Sequence, residues 1–115
     1  MALNKTQIFD AVDVETVAVD VPEWGGEIML QPMTGKQRND YEFWAHSQTQ
    51  SNDFRGIRER LIIACAVGDD GKPLFDFDDM EKLSEKNADV IERLHKCAQQ
   101  ICGMDADAVD DAAGN

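Results

Sequence analysis

The feature that most constrains the fold is an alternating strand pattern that runs directly into a turn signal. Residues 17–21, Val-Ala-Val-Asp-Val, show the period-2 pattern of a half-buried β-strand. Pro22 cannot continue a strand ladder, and the Gly25-Gly26 pair permits a positive φ in a tight connection. Residues 27–31 can return as the partner strand, which ends at Pro32. The sequence therefore predicts a β-hairpin with a five-residue connection, which needs helices or another chain to pack against.

Helical signals lie on both sides of this hairpin. Asn4 can cap a short helical turn that contains Ile8 and Phe9, and residues 34–37, Thr-Gly-Lys-Gln, have the form of a capping box. Apolar stripes and turn residues then predict helices over about 35–48, 54–67, 79–83 and 84–103. The fold class is mainly α, within α+β: a short N-terminal helical turn and a β-hairpin, followed by about three to four helices in a small bundle.

The last predicted helix has a wide apolar arc. Val90, Leu94, Cys97 and Ile101 form one seam, and other apolar residues flank it, which indicates burial on two sides. Residues 104–115 contain four Asp and no basic residue, which predicts an acidic disordered tail. The predicted organisation is one helical domain over 1–103, with its β-hairpin at about 17–31, and a tail over 104–115.

Charge and hydropathy exclude several classes of partner. The chain of 115 residues carries 23 acidic and 11 basic side chains, so its net charge of -12 repels nucleic acid. The longest apolar run, residues 61–67, is far shorter than the ~20 residues that cross a bilayer. The N-terminal residues lack the apolar stretch of a secretory signal. We expect a cytoplasmic protein without nucleic-acid or membrane partners.

The sequence contains no convincing catalytic or metal-binding motif. Aligning Gly71 with the glycine of a calcium-binding EF-hand loop puts Ala66 first and Phe77 last, so that pattern fails. Cys65 lies in an apolar run, whereas a catalytic thiol needs polar surroundings that lower its pKa. The odd number of cysteines indicates reduced, buried thiols rather than a disulfide framework. We expect no catalytic residue, no metal ligand and no cofactor.

Trp24, at the predicted hairpin tip, has two open interpretations. Trp is a frequent anchor of protein interfaces, which favours contact with a partner. Large aromatic side chains also fill cores, so Trp24 can instead fold back on the helices of its own chain. The residues around it are compatible with both.

Four segments occur in an order that resembles a known family. They are residues 4–11 (Asn-Lys-Thr-Gln-Ile-Phe-Asp-Ala), 19–26 (Val-Asp-Val-Pro-Glu-Trp-Gly-Gly), 33–42 (Met-Thr-Gly-Lys-Gln-Arg-Asn-Asp-Tyr-Glu) and 68–75 (Gly-Asp-Asp-Gly-Lys-Pro-Leu-Phe), the last followed by Asp79 and Leu83. Their order and spacing, over roughly residues 3–103, resemble the tail assembly chaperones of long-tailed bacteriophages. Gln37 stands where an acidic residue is common in such sequences, and Pro32 interrupts the second strand.

This resemblance implies a non-enzymatic protein of the host bacterial cytoplasm that is absent from the mature virion. It implies that the protein binds and solubilises the phage tape measure protein and that it self-associates. It also implies that the protein helps to recruit tail tube subunits, a role that an extended form of the chain can serve. Such a protein needs apolar surface for its partners. We expect five partner-facing residues: Trp24, Ile28, Leu30, Leu94 and Ile101.

Two other functions remain open at this point. A structural tail component, such as a joining or minor tail protein, would stay in the virion. An acidic protein that inhibits a basic host factor would use the charge of -12, although acids and bases alternate along the helices.

Overall fold

The computed structural model describes residues 1–104, which form five helices and a three-stranded antiparallel sheet. The mainly helical α+β class predicted from the sequence is confirmed. The elements in chain order are α1 (Lys5–Asp10), β1 (Val17–Val21), β2 (Gly26–Leu30), α2 (Gly35–Gln50), α3 (Ile57–Cys65), β3 (Ala66–Val67), α4 (Met80–Ser84) and α5 (Ala88–Ile101). The predicted acidic tail lies, apart from Met104, outside the described residues.

The β-hairpin is present, with a connection one residue shorter than predicted. Its register pairs Val17 with Leu30 and Val21 with Gly26. A 3₁₀ turn over Pro22–Trp24 and a left-handed Gly25 (φ 78°) connect the strands, and the Gly25 N–H donates to the Pro22 carbonyl at 3.0 Å. Only one of the two glycines has a positive φ, so Gly26 is free to extend β2.

A third strand replaces the end of a predicted helix. The helix expected over 54–67 starts only at Ile57 and stops at Cys65, because Ala66 has extended backbone (φ -74°, ψ 130°). Ala66 and Val67 then pair with Leu30 and Met29. An all-apolar run suits a buried helix and a buried strand equally, and here pairing satisfies the backbone groups on the free edge of β2.

Capping explains where most helices begin. The capping boxes Asn4/Gln7 and Thr34/Gln37 are both formed with reciprocal hydrogen bonds. The last helix is capped by Asn87, whose side-chain oxygen accepts from two backbone N–H groups, and not by the predicted Ser84. Ser84 instead ends α4, where its hydroxyl donates to the Glu81 carbonyl.

The core lies between the sheet and helices α3 and α5. One cluster joins β1 to these helices and α4, and its fully buried side chains include Val21, Ile62, Val90 and Leu94. A second cluster joins β2, α2 and α3 to the C-terminal half of α5 around Leu30. The wide apolar arc of α5 is therefore buried on two sides within the chain itself.

Helix α1 differs from the other helices because none of its residues is buried. Leu3, Ile8, Phe9 and Val12 are 67%, 51%, 77% and 91% exposed. We call residues 1–12 the N-terminal arm.

Candidate functional site

The hairpin tip is held in place by an ion pair to the last helix. Two nitrogens of the Arg93 guanidinium donate to the two carboxylate oxygens of Glu23, with Nη1 to Oε1 at 3.1 Å. This contact holds the pKa of Glu23 below its ordinary value and raises that of Arg93. Because the 3₁₀ turn fixes Trp24 next to Glu23, the indole is positioned over α5 and α4.

Trp24 is half-buried and forms one wall of an apolar groove. The groove has a volume of about 360 Å³ and lies between the hairpin and α4. We call it the Trp24 groove; its lining residues are Trp24, Ile28, Phe75, Asp79, Lys82, Leu83 and Lys86. Four of these side chains are apolar and contact the first core cluster, so the groove is rigidly supported.

The polar side chains of the Trp24 groove all belong to α4 and its ends. Lys82 and Lys86 are exposed, while Asp79 is partly buried. Two ammonium groups beside an apolar surface form a local positive site on a chain whose net charge is -12. The groove therefore suits an apolar segment that carries carboxylates at its side or end.

A second depression, the Trp44 cleft, lies on the other side of α4. It encloses about 650 Å³ and is lined mainly by Trp44, Gly56, Met80 and residues of 48–55 and 77–84. The Arg60 guanidinium stands 4.2 Å from the Phe77 ring centroid and 5.6 Å from that of Trp44. The Trp44 cleft is also lined by Asp53, and a hydrogen bond from the neighbouring Arg55 lowers the pKa of Asp53 to about 2.

Backbone conformation and Met80 together explain why Gly56 suits its position in this cleft. Gly56 has φ 83°, which L side chains rarely adopt. A Cβ atom at Gly56 would meet the terminal methyl of Met80 at 2.5 Å. Gly56 is therefore required mainly by its backbone conformation, and a side chain there would also displace the end of Met80.

The five predicted partner-facing residues fall into three groups. Trp24 and Ile28 lie together in the Trp24 groove. Ile101 is half-buried against the second core cluster and lies outside the groove. Leu30 and Leu94 require a correction: they are 0% and 1% exposed, because the sheet and the helices of the same chain already cover them.

Sequence reasoning missed the α4 side of the groove. Lys82 and Lys86 are separated by one helical turn, and Leu83 lies between them, so a helical spacing was visible in the sequence. Nothing local indicated that the hairpin would face this helix, because the contact joins residues more than 50 positions apart.

Two of the three free cysteines are in contact. The Sγ atoms of Cys65 and Cys102 are 3.7 Å apart, between the end of α3 and the residue after α5. The hydrogen bond between these two thiols, together with nearby Arg38, lowers the pKa of Cys102 to about 6. The same hydrogen bond and burial raise the pKa of Cys65. Burial also lowers the pKa of His95, whose buried Nδ1 has no hydrogen-bond partner within the described chain.

Residues 1–104 show two further properties of the surface. No group of three or more His, Cys, Asp or Glu side chains in this range is arranged to hold a metal ion. No helix in the same range combines the length and apolarity needed to span a membrane.

Comparison with solved structures gives an informative likeness. No protein-family model matches the chain, and no curated protein matches it. Among solved structures, the chain is similar to the bacteriophage HK97 tail assembly chaperone, with a TM-score of 0.58 and 24% sequence identity. The match covers 76% of this chain and 85% of that one. The resemblance seen in the sequence is thus confirmed at the level of the fold: the chain has the fold of a bacteriophage tail assembly chaperone.

Proposed function

We propose that this protein is a non-catalytic tail assembly chaperone of a long-tailed phage or prophage. The main support for this proposal is the fold of the protein, which resembles the HK97 tail assembly chaperone over 76% of the chain. The order of the four sequence segments described above supports the same function independently of the fold. Tail assembly is the general role, and the specific partners follow from the resemblance.

The main partner in this proposal is the phage tape measure protein, which the chaperone binds and keeps soluble. The Trp24 groove supports this role because an apolar groove with charged residues at its rim suits one face of an amphipathic helix. The net charge of -12 supports it as well, since a highly charged surface keeps a complex with an apolar client soluble.

The proposal also includes recruitment of tail tube subunits, which an extended form can mediate, and self-association. The protein acts in the host bacterial cytoplasm and is absent from the finished virion. These points follow from the family resemblance of residues 3–103.

Co-expression tests client binding directly. The tape measure protein encoded with this chain is produced with and without it, and its soluble fraction and co-purification are measured. We expect the chaperone to raise the soluble fraction and to co-purify. Trp24→Ser should weaken co-purification at least tenfold, whereas Phe43→Ser, at a side chain 77% exposed on α2 and outside the groove, should leave it unchanged. Complete separation of the wild-type pair at all salt concentrations would contradict the proposal.

Mass spectrometry of purified particles separates the chaperone from a structural tail component. The chaperone should be missing from virions of the phage that encodes it. Stoichiometric retention would instead identify a joining or minor tail protein. An inhibitor of a basic host factor would bind such a factor in a strongly salt-dependent way and would leave the tape measure protein insoluble.

A further inference from the structure

The N-terminal arm contains the short helix α1, which makes no buried contact with the rest of the described chain. Its six helical residues carry a complete capping box, with Asn4 and Gln7 exchanging hydrogen bonds of 2.8 and 2.9 Å. An isolated helix of this length is marginal in water, so helices this short normally gain their stability from tertiary contacts. Within the described chain, every residue from Met1 to Asp13 is exposed.

The arm also presents more apolar surface than a solvated segment needs. Ile8 and Phe9 are adjacent on α1, and Leu3 and Val12 flank the helix at its two ends. Each of these four side chains is at least half exposed. An apolar cluster of this kind marks an interaction site.

The Trp24 groove is complementary to this arm in both apolarity and charge. Along α4 and its ends, the groove presents Asp79 first and then Lys82 and Lys86. Along the arm, Lys5 comes first and Asp10 follows. When the two segments run in the same direction, Lys5 lies toward Asp79 and Asp10 lies toward the two lysines, while the exposed apolar side chains of the arm can meet the apolar wall.

We propose that the arm of one copy docks in the Trp24 groove of a second copy. The arm leaves the sheet at Val17, which pairs with Leu30, whereas the groove lies at the opposite end of β1, beside the hairpin tip. To reach its own groove, the arm must turn back along the ~17 Å of β1 through residues 11–16, which span ~20 Å only when almost fully extended. A second copy can meet the arm without that extension.

Docking of this kind is heterologous: the arm and the groove are different surfaces, so each copy offers one of each. Repeating the contact produces a ring if the rotation closes and an open helical assembly if it does not. Because the proposed client uses the same groove, client binding and arm docking compete. This inference rests on the self-association included in the proposed function, and its test contains no client, so its failure leaves client binding to be decided by co-expression.

The test uses two defective variants that complement each other. Ile8→Ser/Phe9→Ser removes the arm contact, and Lys82→Glu/Lys86→Glu reverses the charge of the groove. Light scattering after size exclusion should give a mass above the monomer for the wild type and the monomer mass for each variant alone. A 1:1 mixture of the variants should form a dimer, because the groove variant still has its arm and the arm variant still has its groove.

Two controls make the result specific. Phe43→Ser removes a side chain that is as exposed as Phe9, at 77%, and should keep the wild-type mass. Asp10→Lys, added to the groove variant, should restore association through reversed charges. All of these substituted side chains are exposed, so circular dichroism and thermal melting should show folded variants.

Several outcomes overturn the proposal. A wild type that is monomeric in solution contradicts docking between copies. If the arm of such a monomer were nevertheless protected from proteolysis, the arm would be docked within its own chain. An arm variant that keeps the wild-type mass also contradicts it. So does a mixture of the two variants that remains monomeric.

Discussion

Leu94→Ala provides the clearest test of which predicted partner residues belong to the core. Leu94 is 1% exposed and packs in the cluster that contains Val21, Ile62 and Val90. The substitution removes three carbon atoms, worth ~0.8 kcal/mol each in transfer free energy, or ~2.4 kcal/mol. The cavity left behind adds to this, because core side chains relax only in part, so we expect a loss of ~3 kcal/mol in the free energy of unfolding.

Urea denaturation followed by the fluorescence of Trp24 and Trp44 measures this loss. With an m-value of ~1.5 kcal/mol/M for a chain of this size, the midpoint should fall by ~2 M. In a thermal melt the same loss should lower Tm by roughly 12–24 °C. Protein concentration is held fixed, because association stabilises the folded state by mass action.

Phe43→Ala is the matched control for Leu94→Ala, because Phe43 is 77% exposed. Its effect on the free energy of unfolding should stay within about 0.5 kcal/mol. The reasoning fails if Leu94→Ala moves the urea midpoint by less than ~0.3 M while it weakens co-purification of the tape measure protein. That result would place Leu94 on the partner-facing surface, as the sequence suggested.

Three further predictions concern the backbone, pH and thiol reactivity. Gly56→Ala and Gly25→Ala should both lower the urea midpoint, because both residues have a positive φ that L side chains rarely adopt; an unchanged midpoint in both variants would refute this reasoning. Burial lowers the pKa of His95 below 6.5, so the unfolded chain binds the proton first as pH falls. Stability should therefore decline from about pH 6.5 downward, and His95→Gln should flatten urea midpoints measured across that window. Iodoacetamide near neutral pH should label Cys102 before Cys65 in the folded protein, as read by peptide mass spectrometry, since their pKa values shift in opposite directions; equal rates would contradict this order.

Local chemistry explains what was predictable from the sequence. The hairpin depends on valine alternation, one proline and one left-handed glycine, all within fifteen residues. The two capping boxes at Asn4 and Thr34 likewise involve side chains only three residues from their partners. Interactions at this range leave patterns that a single sequence displays.

Nonlocal pairing explains what the sequence did not predict. β3 forms because the edge of β2 needs a partner, and residues 61–67 are equally apolar for a helix or a strand. The hairpin edge predicts Leu30 at the surface, and the width of the apolar arc of α5 predicts Leu94 there. In the structure, α3 covers one side of that arc and β1 the other.

The two interpretations of Trp24 turn out to be compatible, and this determines how its role can be tested. The indole packs on the first core cluster and also forms a wall of the groove, so Trp24→Ser removes both kinds of contact. A loss of binding in that variant therefore mixes weaker folding with weaker docking. Lys82 and Lys86 are exposed and contribute to the groove without filling the core. Lys82→Glu/Lys86→Glu should therefore weaken binding while the urea midpoint stays unchanged. Such a result would show a contribution of the groove to binding that does not come from a loss of stability, which Trp24→Ser cannot show.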